Sequence, residues 1–99
     1  MVDRSAKDYE TNVSEVAELT RIAHAVNVSV EAELGHVGDA SAYEEERDAG
    51  LTDPKEAREY VTRTGVDCLA VAVGTAHGTY SGTPHIDLER LSAIRKEVS

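Results

Sequence analysis

The stretch Cys68-Leu69-Ala70-Val71-Ala72-Val73-Gly74-Thr75-Ala76-His77-Gly78 opens with six apolar residues in succession. A strand that faces solvent on one side alternates apolar and polar residues. An unbroken apolar run is what a parallel strand covered on both faces looks like. This run leads straight into a glycine-flanked turn holding a histidine.

Upstream, Val28-Ser29-Val30-Glu31-Ala32-Glu33-Leu34 alternates with period two and stops at Gly35, which predicts a strand with one apolar and one polar face. Before it, Val13, Val16, Ala17, Leu19, Ile22, Ala23 and Val26 recur at spacings of three and four. That spacing predicts a helix over Asn12 to Val26, with Asn12 as its cap and Glu15 three residues on. Between the two strands, Asp53-Pro54-Lys55-Glu56 marks a helix start, with Glu56 able to reach back to the cap, and Gly65 marks its stop. Downstream, Asp87 opens a last helix with Leu88, Leu91, Ile94 and Val98 on one side. Met1-Val2-Asp3 reads as the stub of a further strand. Residues 36–50 show no clean period and read as a long acidic loop. The order is therefore stub, helix, strand, loop, helix, strand, loop, helix. Alternation of this kind implies βαβ units and a parallel sheet. Two strands and a stub do not complete one, so the pattern is that of a piece of a larger α/β fold.

The chain has 99 residues, 19 acidic and 10 basic side chains, and a formal net charge of −9. A surface this acidic repels phosphate backbones and anionic headgroups, which argues against nucleic-acid and membrane-surface partners. No apolar run approaches the roughly 18 residues of a membrane span, and no secretory leader is visible. A single cysteine, Cys68, reads as a small buried apolar residue in a cytoplasmic protein. Leu, Ile and Val make up about a fifth of the chain and Phe and Trp are absent, so the core is built from small side chains. The acidity reads either as an ordinary solvated surface or as adaptation to a salt-rich cytoplasm.

In α/β proteins ligands bind at the carboxyl ends of the parallel strands. The residues at those ends are Asp3, Glu33, His77 and Gly78. Carboxylates and an imidazole on one rim could bind a divalent metal such as zinc. Each also has an ordinary reading, as exposed terminus, strand-end acid or loop histidine. His24, His36 and His85 are poorer candidates, the last two because neither lies at a strand end. The run Glu44-Glu45-Glu46 reads as solvated charge, or as a mobile source of a proton-transfer carboxylate.

Taken in order, several segments resemble the class II, zinc-dependent ketose-bisphosphate aldolases of the fructose- or tagatose-bisphosphate type. They are Met1-Val2-Asp3-Arg4-Ser5, Val30-Glu31-Ala32-Glu33-Leu34-Gly35, Leu51-Thr52-Asp53-Pro54, Thr64-Gly65-Val66-Asp67 and Gly74-Thr75-Ala76-His77-Gly78. Ile86-Asp87, Arg90-Leu91 and Ile94-Arg95 continue the pattern. The resemblance implies a partial (β/α)8 TIM barrel of about three consecutive βα units, with residues 1–99 as a single segment. It implies a lyase of carbohydrate metabolism that cleaves a ketose 1,6-bisphosphate reversibly to dihydroxyacetone phosphate and glyceraldehyde 3-phosphate. His77 would be a ligand of the catalytic zinc, and Asp3 and Glu33 would belong to an alternate or second metal position. Gly78 would offer backbone contact to a phosphate, beside a monovalent-cation site found in relatives. Glu45 is a candidate for proton transfer. Relatives are commonly homo-oligomers. A barrel needs about 250 residues, so the alternative expectation is a non-catalytic fragment that needs a complementing chain. Arg4 also departs from the family, standing where relatives usually carry glycine.

Overall fold

The computed structural model describes residues 1–39, 50–80 and 83–98. The chain runs α1 (Tyr9–Ala25), β1 (Glu31–Leu34), β2 (Gly38–Asp39), α2 (Pro54–Thr64), β3 (Cys68–Val71), β4 (Ala76–His77) and α3 (Leu88–Val98). β1 and β3 pair in parallel, Glu31 opposite Cys68 through Leu34 opposite Val71. β2 and β4 form a second parallel pair, Asp39 opposite His77. The N-terminal stub joins β1 on its other side, through a parallel bridge between Val2 and Ala32 and a 2.7 Å bond from Val2 N to Glu31 O. The expected parallel α/β arrangement is thus present, with stub, β1 and β3 side by side in chain order.

All three helices pack on one face of this sheet. Val30, Ala32 and Leu34 of the β1 segment meet Val13 and Val16 of α1, Ala57 and Tyr60 of α2, and Ile94 of α3. Leu69 and Val71 extend the same face on β3. A buried polar relay crosses this core. Tyr60 Oη donates to Asn12 Oδ1 at 2.7 Å, and Asn12 Nδ2 donates to the Glu33 carbonyl at 3.1 Å. Burial raises the Tyr60 phenol to about 12, so the hydroxyl keeps its proton and remains the donor.

The relay corrects the expected start of α1. Asn12 lies inside the helix, and the cap is Asp8, whose carboxylate accepts from Thr11 N at 3.0 Å and from Thr11 Oγ1 at 2.7 Å. The buried stripe is Asn12, Val13, Val16 and Thr20, while Leu19, Ile22 and Val26 are exposed. α2 begins as expected, with Asp53 accepting from Lys55 N at 3.0 Å and Pro54 in the first turn, and it ends at Gly65. α3 is capped by Asp87, which accepts from Arg90 N at 2.9 Å. Its apolar side is only partly covered, since Ile94 is buried while Leu88 and Leu91 are exposed.

Three further expectations change. The second strand is shorter than its apolar run and half-covered rather than enclosed. Cys68 is exposed, because it points to the face opposite the helices at the edge of the described sheet. The segment after Gly35 contributes β2, so it is not wholly loop. Glu44, Glu45 and Glu46 lie outside the described residues. No helix among the described residues is long and apolar enough to cross a membrane.

Candidate active site

The sheet's second face, away from the helices, carries Glu31 and Glu33 on β1 and Cys68 and Ala70 on β3. Alternation alone would leave Glu33 in solvent. Instead it is only 7% exposed. Asp3 lies against it at the end of the stub, and His36 and His77 are near enough to bias its charge.

The two carboxyls are driven apart. Burial pushes the Glu33 carboxyl above the usual range, and the neighbouring Asp3 charge adds to the effect. Asp3 is held below it, chiefly because its carboxylate accepts from the Ser5 hydroxyl and from Ser5 N, the latter at 2.9 Å. A hydrogen bond between the two acids raises one and lowers the other. Of the two, Glu33 is therefore the acid that ionises later as pH rises. The imidazoles of His36 and His77 pull the other way, favouring its ionised form.

The sequence pattern puts His77 just beyond its strand. It occupies the last position of β4, a short strand held by pairing with β2. Tyr80 secures the same turn, its hydroxyl accepting from Ala76 N at 2.9 Å. Gly78 comes next with φ +88°, and a Cβ built there would meet nothing within 4 Å. Its backbone is thus open to close approach by a ligand. Arg4, next to Asp3, is turned away into an ion pair with Glu15 on α1.

The structure thus brings Asp3, Glu33 and His77 to one rim, with Gly78 beside His77. It adds His36, which sequence reasoning set aside as a loop residue. His36 stands two residues past the end of β1, so the strand-end argument that selected Glu33 applies to it as well. Thr52, Asn12 and Tyr80 were also missed as supporting residues. The bonds of Thr52 and Asn12 run to residues distant in the chain, which no local pattern announces, while that of Tyr80 reaches back only four residues to Ala76.

Two carboxylates and two imidazoles are donors that a divalent ion such as zinc accepts. Two carboxyls this close are also a place where a cation would relieve repulsion between their ionised forms. Among the described residues no three such side chains are grouped closely enough to hold an ion by themselves.

Known proteins agree with this architecture. A family model described as fructose-bisphosphate aldolase class-II matches residues 1–99. A fructose-bisphosphate aldolase of Thermus caldophilus is 50% identical over 102 residues, covering 99% of this chain and 33% of the relative. The YdjI aldolase of Escherichia coli K12 superposes with a TM-score of 0.77 at 37% identity, over 98% of this chain and 30% of that one. A provisionally assigned fructose-1,6-bisphosphate aldolase of Coccidioides immitis gives a TM-score of 0.84 at 34% identity, over 99% and 35%. The chain spans about a third of the length of these relatives, and it belongs to the class II fructose-bisphosphate aldolase family.

Proposed function

We propose that this chain supplies the metal-facing rim of a (β/α)8 aldolase that cleaves a ketose 1,6-bisphosphate, fructose or tagatose, to dihydroxyacetone phosphate and glyceraldehyde 3-phosphate. The observation that carries the reading is the convergence of Asp3, Glu33 and His77 at the carboxyl ends of neighbouring parallel strands in a chain of this family. His77 would hold the catalytic zinc, and Asp3 and Glu33 would hold a second or alternate metal position. Zinc, when bound, supplies a Lewis acid for the ketone and enediolate oxygens. Gly78 would present its amide to a phosphate oxygen of the substrate, near a monovalent cation. Ser5 keeps Asp3 ionised, and the fixed β2–β4 pair keeps His77 on the rim.

The test is zinc-dependent cleavage of both bisphosphates by the purified protein, lost on chelation and restored by zinc. His77→Ala is expected to cost more than the roughly 10- to 100-fold that removal of an outer-shell partner costs in metal affinity or activity. Because His77 is exposed, its melting temperature should hardly move. Cleavage that survives chelation, or a His77→Ala protein that binds zinc as tightly as wild type, would overturn the reading.

A further inference from the structure

The two strand pairs are a single pair of parallel chains with an interruption. From Glu31–Cys68 to Leu34–Val71 the partners are offset by 37 residues, and at Gly38–Ala76 and Asp39–His77 the offset is 38. Gly35, His36 and Val37 thus face the four residues Ala72, Val73, Gly74 and Thr75, one more on the later chain. An extra residue on one strand re-aims the side chains beyond it. Here the chemically important side chain beyond it is His77.

Thr52 sits in the interruption and is 1% exposed. The ladder begins with Cys68 N donating to Val30 O. Continued past β3, the parallel pattern would take Ala72 N to Leu34 O and His36 N to Ala72 O. Neither bond forms. Ala72 N donates to Thr52 Oγ1 at 2.8 Å, and Thr52 Oγ1 donates onward to Leu34 O at 2.6 Å. Thr52 N takes the Ala72 carbonyl at 3.0 Å, while His36 N is diverted to Gly50 O at 2.8 Å. Arg90 Nη1 fixes the wedge from α3 by donating to Thr52 O at 2.9 Å. Gly35 makes room, with φ +87° and a position where a Cβ would lie 2.4 Å from Thr52 Oγ1.

We propose that Thr52 is a positioning residue for the rim: its hydroxyl, inserted as a rung between β1 and the chain after β3, sets the one-residue offset that places His77 beside Glu33. The functional part of this inference rests on the metal-dependent reading above, and the structural part does not. A hydroxyl with one donor and one acceptor role is what the gap requires. Serine supplies both, and valine, of the same shape as threonine, supplies neither.

The experiment compares Thr52→Val and Thr52→Ser in the purified protein by amide hydrogen exchange without metal and by zinc titration. In Thr52→Val, exchange at Ala72, Ala76 and His77 should quicken by about tenfold or more while the interior of α1 stays protected. Zinc affinity should fall by about 10- to 100-fold, with Thr52→Ser within about twofold of wild type on both readouts. If Thr52→Val does not fold, Thr52→Cys, whose thiol bonds weakly, replaces it in the same contrast. Protection at His77 unchanged in the valine or cysteine variant, or a serine variant as impaired as the valine, would overturn the proposal. A wild-type protein that binds no zinc would remove the metal reading, and the exchange contrast would still decide the role of Thr52.

Discussion

Glu33 is where burial and charge conflict most sharply. Its carboxyl is buried beside Asp3, and its titration is raised by that burial and that charge. In metal-free protein the protonated form is the one the fold prefers. Its stabilising contribution is complete below the unfolded-state value of about 4.3 and is lost as pH rises through the folded value. Above that value the metal-free fold bears an ionised acid against Asp3. Glu33→Gln removes that charge and keeps a donor for the Asp3 carboxylate. The metal-free variant should melt higher than wild type at about pH 7, with the difference closing toward about pH 4, while zinc binding weakens. A melting temperature equal to or below wild type at neutral pH would show that Glu33 is not strained. Tyr60 tests the other side of the same strand. Tyr60→Phe leaves the buried Asn12 Oδ1 without its 2.7 Å donor, which should cost about 1–3 kcal/mol in denaturant unfolding. A loss below about 0.5 kcal/mol, the range of ordinary surface changes, would mean that the relay carries no net stability.

At the scale of elements, the parts visible in the sequence were those whose signals are local. Asp53-Pro54 and Gly65 bound α2 because a capping carboxylate, a fixed proline φ and a left-handed stop act within a few residues. The start of α1 was misplaced for the converse reason. Asn12 and Glu15 have a cap's spacing, but the Asn12 amide is spent on Tyr60 and on the carbonyl of Glu33, 48 and 21 residues away. The rim was half legible: strand-end logic found Asp3, Glu33 and His77, while the burial of Glu33 and the wedge at Thr52 depend on distant chain. Asp67 shows how such long-range bonds hold elements in place. Its Oδ2 accepts from Val30 N at 2.8 Å and pairs with His24 Nε2 at 2.8 Å, tying the lead into β3 to β1 and to the end of α1. The His24 bond, then the Val30 amide, hold its carboxyl below the usual range. For an acid whose titration is depressed, the stabilisation is present above the unfolded value of about 3.9 and is lost as pH falls through the folded one. Asp67→Asn should therefore melt lower than wild type at neutral pH, with the gap closing in acid. A gap that persists unchanged at about pH 3 would assign the effect to geometry rather than charge.

Across the whole molecule two forces act in opposite directions. The net charge of −9 makes the compact state repel itself. The flanks are apolar. Leu69, Val71, Leu91, Ile94 and Val98 line an open groove between β3 and α3, with Ile86 and Leu88 exposed in the same stretch of chain. On α1 and the turn after it, Leu19, Ile22, Val26 and Val28 are exposed as well. Among the described residues β3 pairs on one edge only, with β1. Exposed apolar area beside an unpaired strand edge favours association, while like charge opposes it. Salt removes the opposition: the screening length falls from about 30 Å at 0.01 M to about 3 Å at 1 M. The 99-residue polypeptide on its own should therefore gain thermal stability as salt rises, and should sediment as larger species over the same range. If stability rises while the chain stays monomeric, self-repulsion alone is being relieved and the flanks are not sticky. If it associates with no gain in stability, the apolar flanks dominate, which favours the expectation of a segment that needs complementing chain. A curve flat in both would mean that neither the charge nor the flanks govern this fold, and the adaptation to salt read from its acidity would fall.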